Sequence, residues 1–281
     1  MSGNVCTYTH VVAGFISSLE RRTAHQAEHV KQSIPTLALL CMLLGITGPP
    51  VRADDYQVVT EEWPPYNYQE NGQITGMTTE IVRAIMALTG DHFEILMLPS
   101  MRTTYLLNSR PKTIVYSLFR TPEREALYKW VGPIAEESIY PYQMADAQQP
   151  VNTLEQLHQA PRITTRQAGL IPDWLQARGF TNLDRSANSN QQLYRMLLAK
   201  RTDLIAGDTA AGVAYNSRQL DIPTGTLRQI PVELYRSALY IAFSHDCDDK
   251  VVHAWSSALD RLRQTGALAR IIQRYDDPVA P

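Results

Sequence analysis

From Tyr56 onward the chain alternates short runs rich in β-branched and aromatic residues with stretches whose apolar positions recur every three or four residues. Tyr56–Thr60 predicts a strand, and Trp63-Pro64-Pro65-Tyr66 a stiff loop, because two prolines fix φ. Asn71-Gly72 marks a turn. The helix after it carries Ile81, Ile85 and Leu88 on one face, Glu80 near its start and Gly90 as its stop. Phe93–Leu98 predicts a strand, Met101–Asn108 a short helix and Thr113–Leu118 a third strand. This β-loop-α-β-α-β order implies a largely parallel sheet covered by helices.

A second block with the same grammar starts near Thr153. Arg162–Thr165 predicts a strand, Pro172–Arg178 a helix ended by Gly179, and Gln191–Lys200 another helix. Asp203–Ala206 reads as a short buried strand and Ala238–Phe243 as a strong one. The helix over Asp248–Gln264 places Val251, Val252, Trp255, Leu259 and Leu262 on one side, with acids at its start and Gly266 at its end. Two α/β lobes are the natural reading, with ligands expected in the cleft at the carboxyl ends of the strands.

The segment ahead of Tyr56 does not belong to this pattern. Ile34–Ile46 is an apolar run too short to span a bilayer as a helix but suited to the core of a secretory signal. Val51-Arg52-Ala53 then offers small residues at the −3 and −1 positions, so residues 1–53 are expected to be a leader cleaved after Ala53. The first 30 residues are surplus to such a leader. They are expected to be an artefactual extension, with translation starting near Val30, or else a long polar lead. Cleavage removes four basic residues (Arg21, Arg22, Lys31, Arg52) and two acidic ones (Glu20, Glu28). The mature chain then has 22 basic against 26 acidic residues, a net charge of −4. No basic face for nucleic acid is implied. Of three cysteines only Cys247 survives, so an intramolecular disulfide is excluded and a core of ordinary size must suffice. The mature protein is expected to be soluble, periplasmic and monomeric.

Motifs for nucleotide binding, metal-dependent hydrolysis, redox dithiols and nucleophile elbows are absent. The four histidines of the mature chain (His92, His158, His245, His253) lack metal-ligand spacing, and neither a metal, a cofactor nor a catalytic residue is expected. His245-Asp246-Cys247 reads as a solvated loop, and Glu61-Glu62 and Asp276-Asp277 as solvated faces. A different constellation carries chemistry. Trp63 and Tyr66 supply an aromatic face, Ser117 a hydroxyl, Arg124 a guanidinium fork and Asp208 a carboxylate. Together they suit a zwitterion: Arg clamps a carboxylate, Asp accepts from an ammonium, and the aromatic ring shields both. Plainer roles compete: Trp63 capping the core, Arg124 pairing with Glu123 or Glu125, and Asp208 capping the helix near Thr209.

Four ordered segments resemble the family 3 periplasmic solute-binding proteins, the polar-amino-acid receptors of ABC importers. TEEWPPYNYQENGQITGMTTEIVRAI is similar to the family's opening strand, loop and helix, and SLFRTPEREALYKWVGPI to its S-x-x-R-T-P-E-R-E block. LYRMLLAKRTDLIAGDTAAG resembles its second-lobe segment, and the C-terminal pattern its final helix pair. The resemblance covers about residues 56–275. It implies a type II periplasmic-binding-protein fold, two doubly wound α/β sheets joined by a two-strand hinge. Lobe 1 would be 54–143 plus 240–281, and lobe 2 would be 144–239. It also implies that Trp63 stacks on the ligand, that Ser117 and Arg124 meet its carboxylate and that Asp208 takes its α-ammonium. Two departures bear on the ligand. Phe119 stands where a second small hydroxyl residue is usual, and Thr165-Arg166-Gln167-Ala168-Gly169 replaces the usual glycine and hydroxyl loop. Arg166 would give lobe 2 its own cation, which leaves room for a dicarboxylate or another anionic metabolite.

The expected function is a non-catalytic receptor that captures a small polar metabolite, an amino acid or related carboxylate, by hinge closure. It would deliver the solute to an inner-membrane ABC permease. Two alternatives stand beside it: a cleft enzyme of the prephenate or arogenate dehydratase type, drawing on Glu61, Glu62 and Arg166, and a ligand-sensing partner of a membrane receptor.

Overall fold

The computed structural model describes residues 56–276. The leader, its cleavage after Ala53 and the start near Val30 lie outside these residues, as does all of the Asp276–Asp277 pair except the Asp276 backbone. Strand β1 (Gln57–Thr60) leads into the hairpin β2 (Tyr68–Glu70) and β3 (Gln73–Thr75). Helix α1 (Met77–Thr89), β4 (Ile95–Met97), α2 (Ser100–Ser109), β5 (Thr113–Phe119) and β6 (Tyr128–Met144) follow. Next come α3 (Leu154–Gln159), β7 (Ile163–Arg166), α4 (Leu170–Ala177), β8 (Leu183–Ala187), α5 (Asn190–Leu198), β9 (Leu204–Thr209) and α6 (Ala210–Gln219). Strands β10 (Leu227–Gln229) and β11 (Tyr235–Ser244) and helices α7 (Asp249–Gln264) and α8 (Ala267–Asp276) close the described chain.

The main sheet has the strand order β4-β1-β5-β11-β6-β9-β7-β8, with β10 paired to β6. β4, β1 and β5 run parallel to one another, as do β8, β7 and β9. β11 and β6 join these triplets through antiparallel ladders, so the sheet is mixed where a largely parallel one was expected. The two expected sheets are also continuous, for a reason of length. At roughly 3.3 Å per residue, the 17 residues of β6 extend about 55 Å and serve both triplets. Gly132-Pro133 and Pro141 hid this strand from the sequence pattern, since proline cannot donate to a ladder. Register shifts at both places absorb them, between Leu239 and Ile241 on β11 and between Tyr140 and Pro141 against β9.

Local chemistry explains the ends of most elements. The two-residue turn of the β2–β3 hairpin puts Asn71 (φ 49°) and Gly72 (φ 75°) in the left-handed conformation that matches strand twist. Gly90 closes α1 in the same conformation, while Asp248 caps α7 by accepting from the Lys250 amide at 2.8 Å. On α1, Ile81 and Ile85 are buried as expected but Leu88 is exposed, because the buried stripe continues through Val82 and Met86. The core of the β1 half centres on fully buried Trp255, whose ring packs on Phe93 and Phe243 and whose N–H donates to Asp91 at 2.8 Å. Cys247 belongs to this core. Its thiol lies 3.4 Å from Ser244 Oγ, so the expected solvated loop holds only for exposed His245 and Asp246. Among the described residues no helix is long and apolar enough to cross a membrane.

Candidate functional site

The parallel triplets direct the carboxyl ends of β1 and β5 and those of β7 and β9 toward one cavity of about 520 Å³. Each half contributes charge. Glu61, Trp63, Ser117 and Arg124 come from the β1 half, and Arg166, Asp173 and Arg185 from the β7 half.

Trp63 opens a tight turn in which its N–H and C=O both bond to Asn67, at 2.7 and 3.1 Å. Its indole, only 4% exposed, packs against the rings of Tyr66 and Phe119 and lines the cavity. Ser117 sits at φ 63°, a conformation unfavourable for a residue with a Cβ. Its hydroxyl donates to Asn67 Oδ1 and shares a 2.7 Å hydrogen bond with the Thr78 hydroxyl, and strain of this kind persists where surroundings over-determine it. Arg124 is half-buried and donates to the Phe119 carbonyl at 3.2 Å. The expected competitor Glu125 is instead clamped by Arg120, and among the described residues Arg124 has no carboxylate partner.

Arg166 does not stand free in the cavity. Its guanidinium reaches across to Glu61, 3.1 Å away, with both side chains about four-fifths buried. Glu61 was read as part of a solvated acidic face, and only Glu62 is exposed. Gly169 makes the pair possible, since a Cβ there would lie 3.2 Å from the Arg166 guanidinium, at a φ of 126° that disfavours any side chain. Nearer the surface on the same side, Arg185 pairs with Asp173 at 2.8 Å.

Tyr66 and Asp208 lie behind the cavity wall. Tyr66 is fully buried and donates to Thr209 Oγ1 at 2.9 Å, a bond between the two halves. Burial drives its phenol well above the usual range. Asp208, 2% exposed, accepts from the Tyr194 hydroxyl (2.6 Å), the Thr209 amide (2.9 Å) and Asn216 (3.4 Å). Its carboxyl is raised from 3.8 to about 6 by burial, against the opposing pull of Tyr194 and Thr209. The Trp63 and Asn190 side chains make no hydrogen bond in normal geometry, yet their dipoles also favour the Asp208 anion. The cap of α6 is Thr209, which accepts from the Gly212 amide at 3.0 Å, so Asp208 is not the capping residue. The cavity therefore unites Trp63, Ser117, Arg124 and Arg166 and excludes Tyr66 and Asp208. Sequence reasoning missed the Asp173–Arg185 pair and placed Glu61 in the cleft only under the enzyme alternative. Glu61 carried one signal, its place two residues before Trp63 on the same loop.

Chemically, the site can hold a polar solute by fixed charges. Ser117 is bonded to Thr78 and Asn67 and has no basic partner among the described residues to activate it as a nucleophile. Nor does any group of three or more His, Cys, Asp or Glu among them form a metal site. A cleft shared by two α/β halves, at the carboxyl ends of their strands, is the arrangement of the periplasmic-binding-protein fold. The chain belongs to the bacterial extracellular solute-binding proteins, family 3, whose model matches residues 56–277. No curated protein matches the chain. Among solved structures, it is similar to a histidine kinase sensor domain described as similar to periplasmic binding proteins (20% identity, TM-score 0.70, 78% of this chain and 95% of that one). It is also similar to a mutant of ArgBP from T. maritima (16%, 0.69, 80% and 96%). A third is AbpA, an amino acid ABC transporter substrate-binding protein from Streptococcus pneumoniae bound to L-arginine (14%, 0.69, 82% and 98%). At these identities the likeness is one of fold.

Proposed function

We propose that the protein is a periplasmic receptor that captures a small polar metabolite, an amino acid or related carboxylate, and delivers it to an ABC-type permease. The observation that carries this reading is Arg124, which lines a cavity shared by both halves and has no carboxylate within ion-pair distance among the described residues. A half-buried cation of this kind is stabilised by a ligand carboxylate in bidentate geometry. Two lobes, 54–143 plus 240–281 and 144–239, would turn about β6 and β11, and closure would bury the ligand between them. The chain acts as a monomer without bond-making chemistry.

A thermal-shift screen over amino acids, polyamines and dicarboxylates tests this. A ligand at 100 times its Kd adds about 2.7 kcal/mol to stability, so a carboxylate-bearing compound is expected to raise the melting temperature. Stabilisation by polyamines alone contradicts the reading. A sensory role has one observation in its favour, the fold shared with a histidine kinase sensor domain. Radiolabelled uptake in a deletion strain separates the two, since loss of uptake supports the permease and intact uptake the sensor.

A further inference from the structure

The charges that line the cavity belong to three arginines and two acids, Arg124, Arg166 and Arg185 against Glu61 and Asp173. Both acids already face an arginine. Glu61 holds Arg166 at 3.1 Å and Asp173 holds Arg185 at 2.8 Å. What remains is a single positive charge, on Arg124. An ammonium entering the cavity would have to share Glu61 or Asp173 with the arginine that already faces it, and would leave the ligand neutral against a lining of net positive charge. The carboxylate that might otherwise receive it, Asp208, lies outside the cavity lining and is saturated by Tyr194, Thr209 and Asn216. The Trp63 indole, buried and without a hydrogen-bond partner, stands in the cavity wall with its N–H dipole favouring that anion. The place of a cationic head is thus filled by the chain's own groups.

Resting on the receptor reading above, we infer that the ligand is a carboxylate with no ammonium on its α-carbon: a hydroxy, oxo or unsubstituted acid rather than an amino acid. Its carboxylate meets Arg124. The Glu61–Arg166 pair closes over it from the other side without contributing net charge. An α-hydroxyl could donate to the Ser117 oxygen on the cavity wall, and neither it nor an α-oxo group would require a countercharge.

The test is calorimetry on the exported protein with matched sets, each α-amino acid against its 2-oxo, 2-hydroxy and α-unsubstituted analogues. Glutamate with 2-oxoglutarate, 2-hydroxyglutarate and glutarate is one set; phenylalanine with phenylpyruvate, phenyllactate and hydrocinnamate is another. The inference expects the tightest binder to lack the ammonium and to bind at least tenfold more tightly than its amino counterpart. It also expects Arg124→Ala to weaken that binding at least about thirtyfold. An amino acid that equals or exceeds its analogues overturns the inference and leaves the receptor reading standing. Failure of every carboxylate in every set overturns both.

Discussion

Arg124 reaches the cavity on the Arg120-Thr121-Pro122-Glu123-Arg124 segment, where Arg120 takes up the Glu125 carboxylate and the Arg124 guanidinium donates to the Phe119 carbonyl. If it clamps a ligand carboxylate, Arg124→Ala should weaken binding by about 2–5 kcal/mol, the usual cost of breaking a buried charge pair. Arg124→Lys should recover part of this, since a point charge replaces a planar fork. Titration calorimetry on both variants decides it; affinity unchanged in the alanine variant makes Arg124 structural. Asp208 supports a different prediction. Burial raises its carboxyl from 3.8 to about 6, so the folded protein holds this proton more tightly than the unfolded chain does. The resulting stability is complete below about pH 3.8 and is lost as pH rises through about 6. Two pH units correspond to about 3 kcal/mol. Asp208→Asn leaves one of the Tyr194, Thr209 and Asn216 donors without an acceptor at every pH, but it should compare better with the unaltered protein at pH 7 than at pH 4. A difference in melting temperature that does not change with pH counts against a buried, costly anion.

Helix α6 shows how one element depends on this residue. Alanine is ordinarily better than glycine within a helix, by roughly 0.5–1 kcal/mol. At Gly212, in the first turn of α6, a Cβ would stand 1.9 Å from Asp208 Oδ1, so the sign reverses. Gly212→Ala should destabilise by about 1–3 kcal/mol through overpacking, read as a lower urea midpoint with an unchanged slope. A stabilised variant would mean that the carboxylate does not rest on the α6 turn. Other elements were legible because their ends carry chemistry: Gly90 after α1, Asp248 before α7, and the Asn71-Gly72 turn. Strand β6 was not, since its prolines and glycine contradict a central strand and only the bulges opposite them reconcile the two. Hairpin strands of three residues are likewise too short to show alternation.

At the scale of the molecule, what the sequence could not reveal is contact across the cleft. Trp63, Ser117, Arg124 and Arg166 were legible as polar or aromatic residues at strand ends. That Glu61 would hold Arg166, 105 residues away, depends on how two halves pack, and no local pattern encodes it. The same holds for the Tyr66–Thr209 bond, spanning 143 residues, and for the rings of Tyr68 and Tyr215, 4.9 Å apart. These contacts join the β1 half to the β7 half, so they exist only when the halves are close. If ligand capture is closure, removing one should lower affinity even where the residue does not touch the ligand. Tyr66 suits this test because it lies behind the cavity wall. A net hydrogen bond contributes about 0.5–1.5 kcal/mol, so Tyr66→Phe should weaken binding roughly two- to twelvefold. Small-angle X-ray scattering should show a larger radius of gyration for the variant without ligand, converging with the unaltered protein at saturation. Weaker binding with identical scattering curves would instead make Tyr66 part of the ligand's own surroundings.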